Sequence, residues 1–456
     1  MNLTTEELAR AVGGRATSKG RTVAGVSTDT RTLRSGDAFF ALLPREGEGA
    51  DGHAYIGDAA RRGAAAAVVC RPMAEPPAGL GLVEVGDTLL ALGRLASVWR
   101  RRMTARVVAV TGSVGKTSTK GMIGAILSPL ARTVVSERSY NNEIGVPLTL
   151  LEVDRSHDFC VLEFAMRGPG EIGYLAQIAQ PEVAVIANVG LSHIGRLGTL
   201  SAIAAAKGEV LPLLPATGAA VLNRADAFFD AFRDRTHARV LSFGLRDDAD
   251  VRAEQIEAHG LRGTTFVCRV GEAASRVVLR IPGVHLVQNA LAAAAAAHAL
   301  GIELPAIAEG LSSYQGTEMR GLVIEAPGGF TVISDCYNAS PASVEAALRL
   351  LGSAAGRRVF VFGDMAELGD EGPDAHRRVG EQVAATGVAL LVAVGSLAGL
   401  TAEMAASRGV EVTRVASATE ALGALAGRLR VGDAVLVKGS RVMHLEDVVE
   451  GLTSDA

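Results

Sequence analysis

Lysine is scarce in this chain of 456 residues: of its 45 cationic residues only five are lysine, at positions 19, 116, 120, 207 and 438. Arginine is a permanently charged planar fork, whereas lysine is a compact amine whose charge can be removed, so a lysine left in an arginine-rich chain is a candidate for a role arginine cannot fill. Cysteine is equally sparse. Cys70, Cys160, Cys268 and Cys336 stand singly, with no C-x-x-C and no disulfide-like spacing, which points to a reduced, cytoplasmic setting. There is no strong excess of charge: the net value of −4 gives no footprint for nucleic acid, and Arg100-Arg101-Arg102 reads as a solvated helix end. There is no long apolar run either. The stretch from Leu286 to Ile302 carries Gln288, Asn289 and His298, too polar for a membrane span, and the start Met1–Glu7 lacks the apolar core of a signal peptide. We found no internal repeat and no low-complexity linker.

What is present is organised around Val107-Val108-Ala109-Val110-Thr111-Gly112-Ser113-Val114-Gly115-Lys116-Thr117-Ser118. A valine-rich run enters a glycine-bearing turn and then an apolar-periodic stretch with Met122, Ile123, Ile126 and Leu127, which predicts a strand, a phosphate loop and a helix. Gly112 and Gly115 let the backbone turn its N–H groups inward. The helix adds its positive end, Lys116 a mobile cation, and the Thr117 hydroxyl a ligand for Mg²⁺. The usual spacing is G-x-x-x-x-G-K-[ST], and Val110 occupies the first glycine position, so the loop is a shortened variant.

The alternation of elements predicts an α/β chain of three domains. Residues 1–102 form a small N-terminal α/β domain, 103–317 a central P-loop domain with a parallel sheet, and 318–456 a C-terminal doubly wound, Rossmann-like domain. In the first, Ser27-Thr28-Asp29 lies in a polar loop after a short strand. In the second, strands are expected at 106–111, 158–163 and 183–187, and 240–280 reads as a β-rich insertion. In the third, the expectation is strand 330–334, helix 341–351, strand 358–362, helix 374–386, strand 390–394, a helix near 417–428 and strand 434–437.

Ligands collect at the carboxyl ends of strands in such sheets. Glu163 and Asn188 stand at two strand ends of the central unit, with His193 five residues beyond Asn188, a pairing that suits a metal site. Lys207 follows in a small-residue helix. Three polar loops end strands of the third unit, carrying Asp335 and Asn338, Asp364 and Glu367, and Lys438 and Arg441.

The shortened loop resembles that of the Mur ligases, ATP-dependent amide ligases that build the peptidoglycan stem peptide. Further motifs in the same order carry the resemblance: Tyr140-Asn141-Asn142-Glu143-Ile144-Gly145-Val146-Pro147, Arg167-Gly168-Pro169-Gly170-Glu171-Ile172, Ala206-Lys207-Gly208-Glu209, Tyr337-Asn338-Ala339-Ser340-Pro341, Gly363-Asp364-Met365-Ala366-Glu367-Leu368-Gly369 and Val437-Lys438-Gly439-Ser440-Arg441. The set spans nearly the whole chain and is most similar to the member that adds a dipeptide. Ala165, and Leu191-Ser192 before His193, depart from the family's usual residues without removing a ligand.

The resemblance implies a reaction. ATP phosphorylates the terminal carboxylate of UDP-N-acetylmuramoyl-tripeptide, and the amine of D-alanyl-D-alanine attacks the acyl phosphate. It further implies that Lys116, His193 and Lys207 are catalytic, and that two Mg²⁺ ions are held through Thr117, Glu163, His193 and Lys207, the last as a carbamate. Gly112, Ser113, Val114, Gly115, Lys116, Thr117 and Ser118 would cradle phosphate, Asn289 would approach adenine, and Arg320 and Asp335 would close on ATP. Ser27, Thr28, Asp29, Asn141 and Asn142 would face the UDP-sugar peptide. Asn338, Asp364, Glu367, Lys438 and Arg441 would surround peptide or dipeptide, in a chain expected to act as a monomer. Another Mur-type ligase is the nearest rival, but the Asp-Asn-Pro-Arg signature of the diamino-acid-adding member is missing. Folate polyglutamylating ligases share the fold with different motifs, and a P-loop regulatory switch is the rival from another class.

Overall fold

The computed structural model describes residues 1–44, 49–73, 75–137, 140–192 and 194–454, and its strands assemble into three sheets. The first holds five strands in the spatial order Arg15–Ser18, Gly81–Glu84, Ala66–Val69, Asp37–Phe40, Gly25–Ser27. Only the Arg15–Ser18 edge is antiparallel. That edge strand and its neighbour Gly81–Glu84 were not anticipated. Arg15–Ser18 alternates between exposed and half-buried, a weak signal in four residues.

The central sheet has nine strands. Arg106–Thr111 lies between Val183–Ile186 and Phe159–Glu163, parallel to both. Its residues from Val107 on are buried, as a strand covered on both faces requires. Each fully buried valine side chain, such as Val108 or Val110, contributes about 1.5–3 kcal/mol by leaving water. The β-rich insertion is the far edge of the same sheet, where Val251–Ala258, Thr264–Val270 and Ala273–Leu279 pair antiparallel. The alanine-rich helix His285–Ala299 is buried throughout Ala290–Ala297. Its small side chains let it pack closely on the phosphate-loop helix Lys116–Leu127, within one shared core.

The third sheet runs Leu322–Glu325, Thr331–Ser334, Ala434–Lys438, Arg358–Gly363, Leu390–Val394, Glu411–Val415, parallel except for its first strand. Apolar clusters cover both of its faces. The helix Ala398–Ser407 and the strand Glu411–Val415 were not expected. The strand sits at the sheet edge with no residue fully buried, so its sequence carries no apolar run.

Contacts between units set the site. The helix Gly145–Glu152 lends Leu148 and Leu151 to the apolar cluster of the first sheet, joined by Ile144 just before it, and Trp99 Nε1 donates to the Val153 carbonyl at 2.7 Å. The third unit also meets the central one. Leu261, at the tip of the insertion, packs on the third unit's core, and a Cβ on Gly195 would stand 3.2 Å from the Glu367 carbonyl oxygen. Among the described residues no helix is long and apolar enough to cross a membrane.

Candidate active site

These contacts leave a cleft of about 420 Å³ between the central and third units. One wall is the phosphate loop from Ser113 to Ser118 with Asn141, Glu163 and Asn289; the other carries Arg320, Asp335, Asn338, Glu367 and Lys438.

The loop takes its shape from two glycines. Gly112 has φ +153° and Gly115 φ +81°, a region costly for any residue with a Cβ. At Gly115 a Cβ would also meet Asn289 Oδ1 at 2.4 Å, so the glycine both turns the loop and admits the Asn289 amide against it. Gly115 caps the helix Lys116–Leu127, whose free N–H groups and dipole face the cleft. The strand-end residue Asn188 braces the loop: its Oδ1 accepts from Val114 N–H at 3.0 Å and its Nδ2 donates to the Val114 carbonyl at 2.9 Å. Ser113 Oγ donates to the Gly190 carbonyl at 3.0 Å. Lys116 Nζ donates to the Gly112 carbonyl at 2.9 Å and lies 3.4 Å from the Ser113 carbonyl. Burial pushes its ammonium down, Glu163 raises it, and Arg320 across the cleft lowers it again.

Behind the loop is an oxygen-rich cluster. Glu163, 2 % exposed, accepts from Thr117 Oγ at 2.9 Å on one carboxylate oxygen and from Asn141 Nδ2 at 2.9 Å on the other. Asn141 is thereby tied to Glu163. Lys120 Nζ stands 3.5 Å from the same Glu163 oxygen that Thr117 meets. Burial pushes Lys120 down and Glu163 holds it up. Sequence reasoning counted Lys120 but gave it no role. The signal was present, since it lies four residues after Lys116 and hence on the same helix face.

Lys207 ends the helix Leu200–Lys207 and is 2 % exposed. No hydrogen bond or ion pair reaches its amine among the described residues. Burial first, then the charge of Lys116, push it well below the ordinary lysine range. His193 lies outside the described residues.

On the opposite wall the Arg320 guanidinium lies over the Tyr337 ring, 4.0 Å from its centroid. Lys438 Nζ meets Asp335 Oδ2 at 2.6 Å and the Asn338 carbonyl at 3.0 Å. The loop bearing Glu367 is pinned at consecutive N–H groups, Met365 to His376 Nε2 at 3.0 Å and Ala366 to Ser440 Oγ at 2.8 Å. Glu367 itself adopts φ +64°.

Other expected residues have different settings. Asp364 Oδ1 accepts from Ala398 N–H at 2.7 Å, capping the helix Ala398–Ser407 from another strand end. Arg441 pairs with Glu446 at 2.8 Å. Asn142 Oδ1 accepts from the N–H groups of Ile144 and Gly145 and so starts the helix Gly145–Glu152. In the first unit Ser27 Oγ donates to the Asp29 carbonyl, and the Asp29 carboxylate is gripped by Arg31; Thr28 lies between them, away from the cleft. None of these six residues lines the cleft, nor does Gly112, whose carbonyl instead receives Lys116.

A phosphate loop on a parallel sheet, facing a second α/β unit across a cleft with acidic, basic and amide side chains, defines a multidomain nucleotide-handling protein of the P-loop type. Family models agree in detail: the Mur ligase middle domain matches residues 110–297, and the Mur ligase, glutamate ligase domain matches 319–441. The chain belongs to the Mur ligase family. It is 37 % identical over 442 residues to the UDP-N-acetylmuramoyl-tripeptide–D-alanyl-D-alanine ligase of a Synechocystis strain, covering 94 % of this chain and 92 % of the relative. A crystal structure of MurF from Acinetobacter baumannii superposes with TM-score 0.89 at 34 % identity, over 100 % of this chain and 99 % of that one. MurF from Thermotoga maritima, solved in complex with ADP, superposes with TM-score 0.80 at 26 % identity, over 94 % and 97 %.

Proposed function

We propose that this chain joins D-alanyl-D-alanine to UDP-N-acetylmuramoyl-tripeptide, forming the pentapeptide precursor of peptidoglycan with release of ADP and phosphate. One observation carries the reading: the phosphate loop opens onto a cleft completed by a second unit, in a chain that matches the dipeptide-adding ligases over almost its full length. We divide the chain into a UDP-substrate domain at 1–102, an ATP domain at 103–317 and an amino-substrate domain at 318–456. Its four described cysteines are free thiols, which supports work in the reducing cytoplasm.

The first step brings an anionic carboxylate up to an anionic γ-phosphate, so the site's task is to offset repulsion and hold the two in line. Loop N–H groups and Lys116 take the phosphates. Asn289 approaches adenine, and Arg320, its plane fixed on Tyr337, closes from the other wall with Asp335. Attack on the acyl phosphate then needs the dipeptide's amine as a neutral nucleophile between the walls, with Asn338 and Glu367 beside it.

The residues fit Mg²⁺. The Thr117 hydroxyl and the Glu163 carboxylate are hard oxygen donors, and no trio of acidic, histidine or cysteine side chains is grouped among the described residues. Such a set suits an ion that keeps water and takes phosphate oxygens. Bound there it would neutralise charge on the transferring phosphate; His193 would serve a second ion. Lys207 fits carbamylation. An amine with no oxygen partner among the described residues, its pKa pushed well below the ordinary lysine range by burial, favours the neutral form that adds CO₂, and the resulting carbamate would turn a misplaced cation into an anion facing the metals.

The test is phosphate release. It should require UDP-N-acetylmuramoyl-tripeptide and D-alanyl-D-alanine together, and offering both the diaminopimelate and the lysine tripeptide identifies the third stem residue. Turnover with a single amino acid in place of the dipeptide, or hydrolysis stimulated only by a protein, would overturn the reading.

A further inference from the structure

Lys438 was expected at the substrate, and the family motif around it invites that role. Its surroundings assign another. It ends the strand Ala434–Lys438 and its side chain is 2 % exposed. An ammonium has three N–H donors. Those of Lys438 meet three oxygens of one loop: Asp335 Oδ2 at 2.6 Å, the Asn338 carbonyl at 3.0 Å and the Asp335 carbonyl at 3.4 Å. No donor is left for a substrate carboxylate, and releasing one would leave Asp335 without its counter-charge.

The loop it grips is the one that lines the cleft. Asp335 follows the strand Thr331–Ser334, which pairs in parallel with the strand ending in Lys438, and Asp335 N–H donates to the Val437 carbonyl at 3.0 Å. Backbone and side chain therefore fix Asp335 from the same neighbour. Two residues on, Ser440 holds the facing loop through Ala366 N–H. Arginine cannot replace this lysine, because a planar fork cannot converge three donors on oxygens arranged around a point.

We propose that Lys438 is a positioning residue: it holds the Asp335 carboxylate and the Asn338 carbonyl in the cleft and acts on the nucleotide through Asp335, without touching substrate. The inference rests on the proposed reading in which Asp335 closes on ATP.

The experiment compares Lys438→Met, Lys438→Arg, Asp335→Asn and the double variant Asp335→Asn/Lys438→Met. It measures the affinity of a non-hydrolysable ATP analogue by displacement of a fluorescent nucleotide, alongside KM for D-alanyl-D-alanine. Each single variant should weaken the analogue by roughly 10-fold, the loss expected for a charge-assisted contact. The double variant should be no worse than Asp335→Asn beyond about 2-fold, the arginine should not rescue, and the dipeptide KM should change less than the nucleotide affinity. A raised dipeptide KM with unchanged nucleotide affinity overturns the proposal. So do multiplying effects in the double variant, parent-like nucleotide affinity of the folded Lys438→Met protein, or an Asp335→Asn variant that binds nucleotide normally. If Lys438→Met does not fold, Lys438→Gln, which keeps part of the hydrogen bonding, reads the same coupling. Should the parent make no amide from the two substrates, the ligase reading fails, while nucleotide displacement still decides the role of Lys438.

Discussion

Lys207 and Lys438 are two of only five lysines, both almost fully buried, and their surroundings are opposite. Lys438 delivers its three N–H groups to three oxygens, so burial is matched by partners. Lys207 has no oxygen partner among the described residues and has Lys116 as a repelling neighbour. Burying a charge is tolerable when it is paired, and when it is not the group gives up the charge. In the proposed reading one lysine serves as a compact cationic head and the other as an amine that becomes a carbamate. Lys120 is buried too, with its amine 3.5 Å from the Glu163 carboxylate.

The largest effect should come from Lys207. Replacing it by methionine removes the amine, and turnover should fall by about 100-fold, the upper end of what losing a group behind a metal site costs. Intact mass in CO₂-equilibrated buffer should show the parent, but not the variant, carrying one CO₂ at this position. Stability should move the other way. In bicarbonate-free buffer the unfolded parent keeps the Lys207 proton up to its ordinary value near 10.5, while the folded form releases it at lower pH. The unfolded state thus binds more protons below that value, and parental stability rises with pH across the window. Methionine carries no such penalty, so Lys207→Met should melt higher than the parent at pH 7. A lower melting point would mean that the amine is paired after all, and the contrast with Lys438 would collapse.

Lys438→Met should do the reverse, lowering stability by about 1–3 kcal/mol as Asp335 loses its charged partner. Asp335 is 20 % exposed and can recruit water, which keeps the effect below that of a fully buried pair. Urea unfolding of the two methionine variants side by side, with opposite shifts in midpoint, is the sharpest form of the comparison.

The same reasoning extends to His376, fully buried with both ring nitrogens engaged: Nδ1 with the Gly372 carbonyl at 2.7 Å and Nε2 accepting from Met365 N–H at 3.0 Å. A ring that accepts at Nε2 must be neutral, and burial holds its pKa below the usual 6.5. The unfolded chain binds that proton first as pH falls through 6.5, so the ring's stability contribution is complete above 6.5 and declines below it, by at most about 1.4 kcal/mol per pH unit. His376→Gln should flatten the acid limb of a melting-temperature profile between pH 6.5 and 5. An unchanged limb would place the proton elsewhere.

How much of this was legible in the sequence depends on how local each signal is. The phosphate loop was readable because a buried parallel strand, two glycines and a helix start are contiguous. Glu163 was readable because it ends a wholly apolar strand. The edge strand Glu411–Val415 has no such contrast and was missed. Lys120 was counted without a role, because nothing local marks a helical lysine as buried; in the fold it is 4 % exposed and stands 3.5 Å from Glu163. Partner identity was the least readable property. A polar residue at a strand end is equally suited to a ligand and to a neighbouring helix, and the sequence pattern of Asp364 does not distinguish Ala398 N–H from a substrate.

Asp364 therefore supplies the smallest and most discriminating test. It was expected at the peptide, yet its carboxylate accepts from the first N–H of the helix Ala398–Ser407, which has no cap of its own. Removing a capping oxygen costs about 1 kcal/mol, and a cap on a helix none of whose residues lines the cleft should leave the cleft unaltered. Asp364→Ala should lower the unfolding free energy by that amount while KM values for the tripeptide, the dipeptide and ATP stay within about 2-fold of the parent. Asp364→Asn, which retains an accepting oxygen, should recover most of the stability. A carboxylate that binds substrate would behave differently: asparagine would recover stability but not the KM of the molecule it contacts. The capping reading falls if the two variants share a raised KM for one substrate.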